Sequence, residues 1–243
     1  MAARPTFVKV SSVDPSAPES WQGKINLTFD IDWAHDDVVC AIADRVESAD
    51  IAATWFVTHA SPVVDRLRSN PQFELGIHPN FLPLLFHGDT SKGASAEEVL
   101  DRLLDVVPDA KSVRAHSLVQ SGRLLELYRD RGLTHECSAF IPGNSAMPLK
   151  PWRDWFDIVR VPYGWEDDFW FTHASDDHPR PVPTDALTGY DFHPIHAFLN
   201  TDVPATYENA RPCFQTPDAL LHLRNTAGRG VADCLTMVLE SVT

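Results

Sequence analysis

A mainly parallel α/β architecture, either doubly wound or closed into a barrel, is the fold class that the sequence predicts. Two observations carry it. Short apolar runs alternate with amphipathic stretches through most of the chain, and titratable side chains recur where those runs end. Ligands of parallel α/β folds sit beyond the carboxyl ends of the strands, so the second pattern bears on function too. The 243 residues suit one domain with a sizeable core. Residues 1–23 read as an irregular lead-in and 24–243 as the domain.

The elements follow in order. "KINLTFDID" (24–32) reads as a strand, and "DDVVCAIADRVESA" (36–49) as a helix whose first-turn acids, Asp36 and Asp37, favour the macrodipole. "AATWFVTH" (52–59) is a second strand; Ser61 then caps a short helix with Pro62 in its first turn. "FELGIH" (73–78) is a third strand, before a loop at 79–94 long enough to suggest function. Ser95 and Glu98 have capping-box spacing at the start of a helix over 95–107. A strand at 111–117, a helix over 121–132 and a strand in "THECSAF" continue the alternation. Further strands are expected at 156–164 and 187–194, and closing helices within 201–243, near 216–227 and 230–241. The segment 140–186, rich in Pro, Trp and Asp, reads as elaborated loops over one end of the sheet.

Composition narrows the partners. Contents of 44% hydrophobic and 22% charged residues are ordinary for a globular protein. A formal net charge of −14 argues against nucleic acid or an anionic membrane as main partner. No apolar run has membrane-span length and the amino terminus lacks a signal-peptide core, so a cytoplasmic protein is expected. Cys40, Cys137, Cys213 and Cys234 are scattered without a CxxC pair, which fits reduced thiols. The oligomeric state is not legible.

Five strand ends are polar: Asp30 and Asp32 on the first, His59 on the second, His78 on the third, Arg114 and His116 on the fourth, His193 on the last. Residues i and i+2 of a strand share a face, so Asp30 points with Asp32 and Arg114 with His116. Asp32 with His78 is a mixed oxygen and nitrogen set that suits Zn²⁺ or a similar divalent ion. On a strand His193 and His196 face opposite ways, which leaves one of them for acid–base work. His35, His59, His135, His173, His178 and His222 read as surface or packing residues.

"TFDID", "ATWFV", "FELGIHPN", "VRAHS" and "YDFHPIH", in this order from about Lys24 to Asn200, resemble the polysaccharide deacetylase or NodB-homology domain, and within it the WbmS-like branch linked with O-antigen synthesis. The resemblance implies a distorted (β/α) barrel, usually of seven strands, and one divalent metal, Zn²⁺ or in its place Mn²⁺, Co²⁺ or Ni²⁺. It implies hydrolysis of an N-acetyl, sometimes O-acetyl, group on a sugar or polysaccharide precursor. By resemblance Asp30 is the general base, Asp32 and His78 are metal ligands, Arg114 orients the base and His193 is the catalytic acid.

The family's second motif carries two histidines four residues apart, whereas here Leu82 follows His78 at that spacing. His116 is the first choice for third ligand; His87 and Glu74 are the alternatives. Trp165 is expected to stack on the sugar, with Glu166, Asp167 and Asp168 on its hydroxyls. Hydrolysis of another small non-peptide amide, or a non-catalytic carbohydrate-binding module, are the competing readings.

Overall fold

The computed structural model describes residues 5–173, 179 and 185–241; His178 lies outside them, as do parts of the 140–186 region and of the lead-in. Among the described residues ten strands form one sheet: β1 (Thr6–Phe7), β2 (Lys24–Asp30), β3 (Ala53–Val57), β4 (Phe73–Ile77), β5 (Ser112–Val113), β6 (His135–Glu136), β7 (Trp152–Arg153), β8 (Val159–Arg160), β9 (Trp165–Glu166) and β10 (Thr188–Phe192). Helices α1 (Asp36–Ser48), α2 (Pro62–Arg68), α3 (Leu82–His87), α4 (Ala96–Leu104) and α5 (Gly122–Asp130) connect β2 through β6. After β9 come α6 (Asp167–Thr172), and after β10 α7 (Pro194–Leu199), α8 (Pro204–Ala210), α9 (Pro217–Leu221) and α10 (Val231–Glu240).

The sheet runs β7-β8-β6-β5-β4-β3-β2-β10-β9, with β1 beside β2, and every pair is parallel except β7 with β8. Its two ends meet in one extended segment. Residues 159–161 pair with β6, Tyr163 bridges Phe140, and Trp165 pairs with Tyr190 of β10. Tyr163 N donates to Ala139 O at 3.1 Å and Gly164 N to Gly189 O at 3.0 Å, so that segment touches both edges. With β8 and β9 taken as one interrupted strand, seven strands make the ring: β2, β3, β4, β5, β6, β8–β9 and β10.

Local chemistry explains the helix starts. Ser61, Ser95 and Ser121 each accept a backbone N–H of the first turn, at α2, α4 and α5. At α1 the cap is His35, whose Nδ1 accepts from Asp37 N at 3.2 Å. Between sheet and helices lies the main core, with Phe29, Trp55, Val57, Ile77 and Val113. Phe56 alternates with Trp55 and Val57, so it faces the ring's interior. There it joins Cys137, Val161, Tyr163 and Leu187, and Val10, Val13 and Trp21 of the lead-in pack with them. The lead-in is thus more ordered than its Ser and Pro content predicts, because its few apolar residues have an interior to fill.

Other differences have local causes. Of the strand expected at 111–117 only Ser112–Val113 is regular; Arg114 N and His116 N still donate to Ile77 O and Pro79 O, and a 3₁₀ turn at His116–Leu118, with Ser117 left-handed (φ 53°), then turns the chain away. The loop 79–94 contains α3. "HPIH" opens α7 instead of ending a strand, with Pro194 in the first turn. The region 140–186 supplies β7, β8, β9 and α6; β8 falls within the strand expected at 156–164, whereas β7, β9 and α6 lie in what read as loops.

Closure of the ring requires Gly189, since a Cβ there would lie 2.6 Å from Tyr163 Cα. Gly189→Ala is therefore expected to destabilise the chain by about 1–3 kcal/mol through overpacking, measured by urea unfolding; an unchanged midpoint would refute the tight closure.

Candidate active site

β2 ends at Asp30, and the chain continues through buried Ile31 to Asp32. His78, one residue beyond β4, sits between these two acids. Its Nε2 is 3.0 Å from Asp32 Oδ2, and its Nδ1, buried without a hydrogen-bond partner, is 3.4 Å from Asp30 Oδ2. The expected pairing of Asp30 with Asp32 on one side is thus realised around a shared imidazole.

His116 Nδ1 is 2.7 Å from Asp32 Oδ2 and 3.2 Å from His78 Nε2. Asp32, His78 and His116 are one of three groups of described residues whose donor atoms could hold a metal ion. Their chemistry fits a divalent ion: two imidazole nitrogens face each other and one carboxylate oxygen faces both. Donors on tetrahedral zinc stand about 3.4 Å apart, so slight spreading of the three would admit it. Burial opposes ionisation of Asp32, but the charges and hydrogen bonds of His78 and His116 outweigh it and hold the carboxyl far below its usual range. Burial likewise lowers the His78 pKa, and Asp30 and Asp32 reverse this to a net rise. The other two ligand candidates are corrected. Glu74 accepts from Ser11 N, Thr54 Oγ1 and Ser112 Oγ, at 3.0, 3.1 and 2.6 Å, at the opposite end of the strands. His87 is exposed at the end of α3, outside the group.

Arg114 is fully buried inside the ring. Nη1 donates to Asp30 Oδ1 at 2.9 Å and also to Asp191 Oδ1; Nη2 donates to Thr28 Oγ1 at 2.9 Å and Nε to Cys137 O at 2.9 Å. Phe56 and Tyr163 cover its two faces, with centroids 4.6 and 4.5 Å from Cζ. Asp191 belongs to "YDFHP", yet sequence reasoning passed over it, since strand alternation alone does not show which neighbour it meets. Burial raises its pKa well above the carboxylate range despite Arg114, with Asp30 adding repulsion.

His193, first residue beyond β10, is 4% exposed. Asp167 holds it twice: Oδ2 accepts from His193 N at 2.7 Å and Oδ1 from Nδ1 at 2.8 Å. Burial disfavours the imidazolium, but the charges of Asp167 and Asp168 more than compensate and raise the His193 pKa well above its ordinary value. Asp167 is itself fully buried, so it meets His193 and not a sugar hydroxyl. Asp168 Oδ1 is 2.8 Å from His196 Nε2, and His193 and His196 lower its pKa to about 2 against the effect of burial. The two histidines are i and i+3 at the start of a helix and turn toward each other, with ring centroids 5.5 Å apart. The expectation that they face opposite ways fails because no strand is there.

Trp165 is corrected as well: it is 5% exposed and packs on Trp170, Tyr190 and Phe192 in the core. Glu166 Oε2 accepts from Tyr163 Oη at 3.1 Å; burial, opposed by His193, pushes its carboxyl up to about 7. The aromatic that does face the site is Trp33, 39% exposed and directly after Asp32. It lines, with Asp32, His78 and His116, a cavity of about 860 Å³. Its signal was its place beside the acids, not any periodicity.

The Asp167–His193 pair predicts a pH signature. Its stabilisation is complete below the ordinary imidazole pKa of ~6.5 and is lost as pH rises through the raised folded-state value. In Asp167→Asn the burial remains while the largest opposing charge is gone, so the His193 pKa should fall. Imidazole NMR titration checks this, and an unmoved pKa would contradict the pairing.

The chain matches a family model described as WbmS-like polysaccharide deacetylase over residues 27–211. It resembles the crystal structure of WbmS from Bordetella bronchiseptica, assigned as a polysaccharide deacetylase involved in O-antigen biosynthesis, at 41% identity and TM-score 0.91, with 98% of each chain covered. Lower likeness extends to a protein of Mycobacterium smegmatis assigned as a polysaccharide deacetylase (16% identity, TM-score 0.45, 90% of this chain and 89% of that one). A family 4 carbohydrate esterase of Bacillus anthracis matches at 15% identity and TM-score 0.41, over 87% of this chain and 82% of that one. A comparison with curated proteins finds no match. The chain belongs to the WbmS-like polysaccharide deacetylases, hydrolases of carbon–nitrogen bonds other than peptide bonds.

Proposed function

We propose that this chain removes an acetyl group from an N-acetylated, or O-acetylated, sugar of a surface-polysaccharide precursor. The observation that carries the reading is the placement of His78 between Asp30 and Asp32, with His116 completing a donor set beside an Arg114-held carboxylate. Similarity to a protein assigned to O-antigen biosynthesis supports the substrate class.

Asp32, His78 and His116 would hold one divalent ion, Zn²⁺ by the mixed nitrogen and oxygen donors. When bound, such an ion polarises an acyl carbonyl and acidifies water. The chain's own residues do the rest. Arg114 holds Oδ1 of Asp30 by a hydrogen bond, and Oδ2 is the oxygen that would accept the proton of the attacking water. Asp167 holds His193 through Nδ1, so Nε2 is the nitrogen that donates to the departing amine, which leaves only when protonated. Glu166 and Asp168, next to the acid histidine, are retained as candidate contacts for sugar hydroxyls.

The test is acetate release from a panel of N-acetylated monosaccharides and nucleotide sugars by protein purified without chelator. Asp30→Asn should retain stoichiometric metal yet lose about 10²–10⁴ in turnover. His78→Ala should lose the metal itself, read by elemental analysis. Full activity of Asp30→Asn would overturn the assignment of the base.

A further inference from the structure

Trp33 has no assigned role, and its surroundings are unusual for a residue that merely packs. Its backbone is left-handed (φ 56°), a conformation that bulky side chains rarely adopt. Its indole stacks on His193, centroids 5.8 Å apart at 18°, and meets the edge of His116 at 5.7 Å and 80°. Tyr207 tilts against it at 6.1 Å, and Gln215 Nε2 donates to its carbonyl at 3.3 Å. One side chain therefore touches both the proposed acid and a proposed metal ligand. Despite three aromatic neighbours it keeps 39% of its surface, and that part lines the cavity.

We infer that Trp33 is the platform on which the pyranose ring of the substrate stacks, holding the acetylated carbon between His116 and His193. The inference rests on the deacetylase reading above and adds the surface that would recognise the sugar. A pyranose presents axial C–H bonds on one face, a weakly positive, apolar surface that suits the negative face of an indole. A rigid ring with two side-chain torsions supplies that surface at small entropic cost. The left-handed backbone directs it to the cavity from the residue next to Asp32, so ring and acyl group are positioned by the same loop. Trp165, expected for this task, is committed to the core.

The test is saturation-transfer NMR on the full chain with the methyl glycosides of N-acetylglucosamine, N-acetylgalactosamine and N-acetylmannosamine, together with acetate-release kinetics. In the parent chain, ring protons of one face and the acetyl methyl should both saturate. Trp33→Leu keeps apolar bulk without a π-face; it should lose the ring-face signal and weaken binding and KM by about tenfold, with metal content intact and kcat far less affected. Trp33→Phe should restore the ring-face signal. Unchanged ring-face saturation and KM in Trp33→Leu, with acetate still released, would overturn the platform and leave the deacetylase reading standing. A parent chain that binds none of the three glycosides and releases no acetate from them or from nucleotide sugars would overturn both.

Discussion

The site depends on one buried cation. Arg114 has no exposed surface and joins Thr28 on β2, Cys137 after β6 and Asp191 on β10, so it ties together strands from opposite sides of the ring. Two buried carboxylates share its Nη1, and a single positive charge cannot neutralise both. Asp191, the more deeply buried, is pushed toward the neutral form. Removing one partner of such a buried cluster typically costs about 3–5 kcal/mol, because the remaining charge is left uncompensated. The same side chain thus links strands across the ring and fixes Oδ1 of Asp30.

A second electrostatic arrangement holds the acid side. α6 and α7 have six residues each, too few to be stable alone. They dock through two neighbouring pairs, Asp167 with His193 and Asp168 with His196, because adjacent acids at one helix start meet histidines one turn apart on another. Phe171 and Tyr207 flank His196, with centroids 4.8 and 4.7 Å away, and help to bury its ring. The two halves of the site meet at Trp33, which leans on a histidine from each.

Much of this was legible in the residue order. Asp30, Asp32, His78, Arg114 and His193 stand at strand ends in a parallel sheet, and such ends converge whatever the details of the helices. Less legible were partners supplied by non-local contact. Asp167 read as a sugar ligand because nothing local reveals that α6 turns toward α7 and buries it against His193. Trp165 read as a platform because an aromatic in a polar stretch looks exposed until a strand is found beneath it.

What the sequence determined by itself is the alternation of elements and the type of chemistry at their ends, since apolar periodicity and donor identity are local properties. The tertiary structure added the contact on which the proposed third ligand rests. The expected histidine position after His78 is Leu82, and His116, already first choice among three from the sequence, comes within 3.2 Å of His78 because β5 lies beside β4. It also decided that Trp33, not Trp165, faces the cavity, because exposure depends on which elements close over a residue.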